Sequence, residues 1–231
     1  MTKTKKYLLV IIPISLIGLS ALMLTLTFLG LRANRTKAGI FINTNEFAIE
    51  SLQPRVINLD KVSVKSHPVD GYCGISTVTV MSNFYNNTDY EPADMITKYN
   101  TKGTSGNDMM MCLEGELPGK TITYKSNGSK EELLRDIHAS LHSNNPVIIT
   151  FGAPNPFNQP YYDFHGSVVY GIDLDNQTIT IANVYGYIEE ISFADFLNRM
   201  SYTEIENYPL IQQFVLVLTK WQDRNAYILV E

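Results

Sequence analysis

The stretch VDGYCGISTVTVMSNFY, Val69–Tyr85, decides how this chain is read. Asp70-Gly71 marks a turn. From Cys73 onward Ile75, Val78, Val80, Met81, Phe84 and Tyr85 recur at helical spacing, although the β-branched residues among them lower helix propensity. The polar run NNTD (86–89) ends the helix. Cys73 therefore stands on the first turn of a buried helix. Unpaired N–H groups and the positive end of the macrodipole there favour thiolate over thiol. Gly74 beside it is expected to leave room for a substrate to approach the backbone. The competing reading is a small apolar residue filling a core. A nucleophilic cysteine needs a base, and the base needs a group that orients it.

Four histidines are available. His138 and His142 lie four apart on one helix, a spacing able to hold a metal. No cysteine lies near them in sequence, and no metal site and no cofactor are expected. His67 stands in a turn just before Cys73. His165 ends an aromatic-rich segment and starts a strand, where a side chain is held yet still faces a cleft. Eighteen residues later Asn183 ends the neighbouring strand. With DNQ (Asp175–Gln177) as a hairpin turn, His165 and Asn183 fall near the same end of adjacent strands. An amide oxygen there can accept the imidazole N–H and set its tautomer.

The surrounding elements follow from their patterns. RVINLDKVSV (Arg55–Val64) alternates like an edge strand, and EPADMITKY (Glu91–Tyr99) reads as a short helix. A Gly- and Met-rich segment (101–119) shows no clear element, and its Met109–Cys112 run reads as core filling. TITYKS (Thr121–Ser126) reads as a strand. Ser129 followed by Glu132 forms a capping box ahead of a stripe of Leu133, Leu134, Ile137 and Leu141. VIITF (Val147–Phe151) is a strand. A 13-residue loop (152–164) follows, whose Phe157, Tyr161, Tyr162 and Phe164 are expected to wall a substrate cleft. GSVVYGID (Gly166–Asp173), TITIAN (Thr178–Asn183) and QQFVLVLT (Gln212–Thr219) read as strands, and SFADFLNRM (Ser192–Met200) as a helix capped by Ser192. Helices first and antiparallel strands second argue for an α+β fold, a sheet with helices on one side.

The chain has 231 residues, 45% apolar and 18% charged. Its first segment stands apart. Tyr7–Leu31, YLLVIIPISLIGLSALMLTLTFLGL, carries no charge, and its 25 residues reach about 37 Å as a helix. The expectation is an uncleaved single-pass anchor to the cell membrane, with the following domain on the extracytoplasmic side. Lysines 3, 5 and 6 before the span balance Arg32, Arg35 and Lys37 after it. Residues 1–37 hold 6 of the 18 basic residues and none of the 23 acidic ones, which leaves 12 basic against 23 acidic and a net charge of −11 on the remainder. That charge argues against nucleic acid as a partner. Two cysteines, Cys73 and Cys112, cannot build a disulfide framework. Asn34, Asn86, Asn127 and Asn176 lie in N-x-Ser/Thr matches, which matter only in a glycosylating host. The expected organisation is 1–37 anchor, 38–60 stalk and lead-in, and 61–231 the functional domain.

DGYCGISTVTVMSNFY, ELLRDIHASLHSNNPVIITF, HGSVVYGIDLDNQTITIANVYG and ISFADFLNRM occur in an order that is informative as a set. In that order the chain resembles the papain-like cysteine peptidases that process bacteriocin precursors with double-glycine leaders, and in particular their free-standing membrane or secreted relatives. The resemblance implies Cys73 as nucleophile, His165 as general base and then acid, and Asn183 as the orienting residue, with a peptide or protein as substrate. Many relatives carry aspartate before proline where this chain has Asn183 before Val184. The family glutamine that donates to the oxyanion a few residues before the cysteine is also missing. His67 is the residue expected to donate in its place. The same triad suits transfer of an acyl group to an amine or thiol. The missing glutamine suits a degenerate, membrane-tethered binding or immunity module.

Overall fold

The structure is a computed structural model that describes residues 15, 18–22, 42–43, 47–67, 71–103, 105–156, 161–218 and 224–231. Of the apolar run Tyr7–Leu31 it describes only Ser15 and residues 18–22, which are helical and exposed; the rest of the expected anchor lies outside the described residues. Among the described residues no helix is long and apolar enough to cross a membrane.

Helix α1 (Cys73–Asn86) is buried at every position from Gly74 to Asn83. A helix buried all round has no solvated face for its hydroxyls, so they turn back onto their own carbonyls. Ser76 Oγ donates to the Tyr72 carbonyl at 3.0 Å, Thr77 Oγ1 to that of Cys73 at 2.7 Å and Thr79 Oγ1 to that of Ile75 at 2.8 Å. Helix α2 (Pro92–Tyr99) opens on a capping box made by Glu91 and Asp94. The Met-rich segment, where no element was expected, forms helix α3 (Gly106–Glu116), capped by Ser105 and burying Met109, Cys112 and Leu113. Helix α4 (Lys130–His142) starts where Ser129 Oγ accepts from the Glu132 N–H at 3.0 Å, and it buries the expected leucine and isoleucine stripe.

Among the described residues seven strands form one antiparallel sheet: β1 (Val56–Asn58), β2 (Ile122–Lys125), β3 (Val147–Pro154), β4 (Tyr162–Asp173), β5 (Thr178–Asn183), β6 (Tyr187–Ser192) and β7 (Ala226–Val230). The order is β2-β7-β3-β4-β5-β6, and β1 pairs with the far end of β4. An α+β fold with an antiparallel sheet is therefore what the chain adopts. The expectation of helices on one side gives way, however. His165 to Ile172 are buried without interruption, so both faces of β4 are covered. Helices α1 and α4 pack on β4, while α5 (Phe193–Met200) packs on β3, β5 and β6.

Several local expectations are refined. The loop 152–164 is strand at both ends: Gly152↔Phe164, Ala153↔Asp163 and Pro154↔Tyr162 continue the β3–β4 ladder, and the Asn155 N–H closes it on the Tyr161 carbonyl at 2.9 Å. Pro154 sits at the end of β3, a position where its missing N–H is tolerated. Of QQFVLVLT, Gln212–Leu218 belong to helix α6 (Leu210–Leu218) and not to a strand, and Thr219 lies outside the described residues; a short apolar run cannot be told apart by periodicity alone. The strand that completes the sheet is instead AYILV, β7, inserted between β2 and β3 with all five residues buried. RVINLDKVSV shrinks to the three residues of β1. Part of the segment expected as stalk and lead-in packs on the domain: Ile49 and Leu59 are buried, and the Arg135 guanidinium and His138 Nε2 hold the Ala48 and Pro54 carbonyls at 2.8 Å each.

Gly74 does a different job from the one expected. A Cβ there would lie 1.7 Å from the Gly103 carbonyl oxygen, and the Ile75 N–H donates to the Lys102 carbonyl at 3.2 Å. The room beside Cys73 is filled by the chain's own 102–103 backbone. Gly74→Ala is expected to destabilise the domain by about 3 kcal/mol or more, the upper end for overpacking, because the obstacle is backbone. Urea denaturation of the variant checks this; an unchanged midpoint would mean that the 102–103 segment moves aside freely.

Candidate active site

Cys73 opens α1, next to Gly71, whose φ of 83° makes the tight turn into the helix. Its sulfur lies against Gly166 of β4, at which a Cβ would stand 3.1 Å from Thr77 Oγ1. The backbone N–H groups of Gly166, Gly74 and Cys73 point at the sulfur and favour its anion. Burial outweighs them and pushes the Cys73 thiol above its ordinary range. The first turn thus favours the anion, as helix electrostatics leads one to expect, while burial works in the opposite direction and prevails.

The β4–β5 hairpin sets the rest. Asp173 Oδ1 accepts from the N–H groups of Asp175 and Asn176 at 2.8 Å each, which closes the turn at DNQ. Ser167 pairs with Asn183 across the ladder, so His165 is the diagonal neighbour of Asn183 on the same face. His165 Nε2 lies 2.9 Å from Asn183 Oδ1. The amide is held in one orientation from its other side: Nδ2 donates to Glu189 Oε2 at 3.0 Å and to the Tyr187 hydroxyl at 3.3 Å, while Oδ1 also accepts the Tyr185 N–H at 3.0 Å. Glu189 is itself paired with Arg199 of α5, which also bonds Asp195 at 2.8 Å. With Oδ1 fixed as the acceptor, His165 carries its proton on Nε2 and leaves Nδ1 bare. Burial lowers the His165 pKa to about 3; the Asn183 bond opposes this, and His67 nearby adds to it. The imidazole is neutral.

Cys73, His165, His67 and Phe164 line one small cavity of about 170 Å³, together with Asp163, Gly71, Tyr185 and Gln212. His67 is buried, with its ring 5.9 Å from that of His165 and its N–H on the Val184 carbonyl at 2.9 Å. Tyr185 stacks flat on His165 with centroids 3.9 Å apart and 9° between planes, shielding it from water. Of the aromatics expected to wall the cleft, Phe164 does so. Tyr162 packs with Phe164 against the separate cluster of Tyr202, Tyr208 and Leu216, Tyr161 is exposed, and Phe157 lies outside the described residues. Cys112 is far from this chemistry in kind: it is a free thiol in the core, pushed up to about 11 by burial. Among the described residues no group of three or more His, Cys, Asp or Glu is placed to hold a metal ion.

Sequence reasoning missed Tyr185, Glu189, Arg199 and Gln212. Tyr185, two residues past Asn183, was within reach of the hairpin argument. Glu189 sits on β6, which went unread because its two glutamates break the apolar pattern. Gln212 was hidden when α6 was taken for a strand. No curated protein matches the chain. Residues 56–210, which span every side chain of this constellation but Gln212, match the Peptidase_C39 like family. The chain belongs to that family and is thereby related to the papain-like cysteine peptidases.

Proposed function

We propose that the chain is a membrane-anchored cysteine peptidase that hydrolyses a peptide or amide bond through Cys73, His165 and Asn183. The observation that carries this reading is the 2.9 Å His165–Asn183 bond in register with a cysteine that lines the same cavity. The Cys73 thiol gives its proton to His165 Nδ1 as Sγ attacks the carbonyl carbon. The Cys73 N–H donates to the resulting oxyanion, and His67 stands beside it as a further candidate donor. The tetrahedral intermediate collapses, the amine leaves with the proton from His165, and water activated by the same ring hydrolyses the thioester. The reaction calls on no metal or organic cofactor. The uncharged run Tyr7–Leu31 would hold residues 61–231 at the cell membrane, on its extracytoplasmic side, facing a peptide or protein substrate. Within the family, the resemblance to the leader-processing branch favours a peptide with a small-residue cleavage site.

A second reading, a domain that binds peptide without cleaving it, is favoured by one feature: burial keeps both the thiol and the imidazole uncharged at rest. Variants at Asn183 separate the two. Asn183→Ala is expected to lower peptide turnover by roughly 10², the low end for general acid–base catalysis. Asn183→Asp keeps an acceptor for His165 but sets a carboxylate against Glu189, so its rate is expected to fall between alanine and wild type. The measurement is cleavage of a peptide library read by mass spectrometry. Wild-type rates for both variants would remove Asn183 from the mechanism, and no cleavage by the unmodified chain would favour the binding module.

A further inference from the structure

The cavity that holds Cys73 and His165 is also lined by Gln212, from the far end of the chain. Its amide oxygen Oε1 is buried and has no hydrogen-bond partner. Buried amide oxygens are ordinarily paired, and an unpaired one in the cavity of Cys73 and His165 leaves this amide free to turn towards a group that arrives there. Acyl transfer brings such a group. When Sγ adds to a carbonyl, the S–C bond forms, the π electron pair moves onto oxygen and the thiol proton passes to His165. The oxygen then needs two donors. The Cys73 N–H is one. The residues just upstream of Cys73 include no glutamine, and His67 is packed against the base, its ring 4.9 Å from that of Tyr185.

We propose that Gln212 is the second oxyanion donor, delivered by α6 and not by the segment before the nucleophile. This rests on the cysteine-peptidase reading above. The terminal torsion of a glutamine is broad and roughly two-fold, so its NH₂ can replace Oε1 in the cavity without moving the helix. Helix α6 is seated through Leu216, which is buried against Tyr202 and Tyr208, and these in turn pack on Phe164 of the cavity wall. The site is complete only when α6 is docked.

The test compares two reagents on the full chain in mild detergent. Acetyl-glycyl-glycinal adds reversibly to Cys73 and creates the tetrahedral oxygen. Iodoacetamide alkylates the same sulfur by displacing iodide and creates none. Gln212→Ala is expected to weaken aldehyde binding about 100-fold while alkylation stays within about threefold, since only the aldehyde adduct uses the donor. Gln212→Glu keeps the length and the helix. It is expected to bind aldehyde more weakly still at pH 7, and to recover below about pH 4.3, where a protonated carboxyl can donate. Equal aldehyde affinity in wild type and Gln212→Ala overturns the proposal, as does a loss that follows His67→Ala instead. A parallel fall in alkylation and aldehyde binding overturns it too, because that marks a structural role. A wild-type Cys73 that takes up neither reagent sinks the peptidase reading itself.

Discussion

Cys73→Ala is expected to abolish peptide cleavage, and Cys112→Ala to leave it unchanged. The contrast follows from where the two thiols stand. Cys73 lines the cavity with His165, whereas Cys112 is fully buried among the core side chains of α3 and is pushed up to about 11. The same burial sets a pH signature. His165 must be neutral to act as a base, and its pKa is lowered to about 3, so kcat/KM is expected to hold as pH falls through the ordinary histidine range and to drop only nearer that value. Iodoacetamide labelling of Cys73 is expected to be slow at pH 7 and to climb with rising pH, because the thiol lies above its ordinary range. Cleavage by Cys73→Ala at the wild-type rate would end the nucleophile assignment. An acid limb near 6.5 would show that the working site is open to water.

Glu189→Ala is expected to lower stability. Arg199 and Glu189 have side chains only 9% and 13% exposed, and the guanidinium would be left with Asp195 alone. Breaking a buried pair costs about 3–5 kcal/mol, and the remaining Asp195 contact places the expectation at the low end. At roughly 2–4 °C per kcal/mol for a chain of this size, Tm should fall by about 10 °C. Asn183 would also lose the acceptor that fixes its amide, so turnover should fall in the fraction that stays folded. Glu190→Ala, on the same strand but exposed, serves as the control and should melt like the wild type. Matching Tm values for the two variants would mean that the Arg199 charge is held by other groups.

Much of this fold and site is legible in the sequence. The helical spacing after Cys73, the Ser129 cap and the DNQ turn each rest on short-range chemistry, and each stands where that chemistry put it. The His165–Asn183 contact was legible for the same reason: one hairpin turn fixes one register. What escaped depends on partners distant in sequence. Nothing within AYILV says that it threads between β2 and β3. Nothing around Gly74 says that its missing side chain admits Gly103 and not a substrate. The upward push on the Cys73 thiol is not legible either, because a helix terminus acts locally, while burial is a property of everything packed above it.

The place of β7 bears on how the protein is made. Ribosomes emit residues 226–230 after every other element of the sheet, yet this strand sits inside it, between β2 and β3. Until it emerges, the nascent chain carries β2 with no neighbour. It also carries β3 with an apolar edge, Ile148 to Thr150, whose backbone groups have nothing to pair with. The three residues of the proposed triad are synthesised well before that edge is covered. Closure of the sheet is therefore a late, long-range event, of the kind that folds slowly and leaves time for chaperones or for self-association.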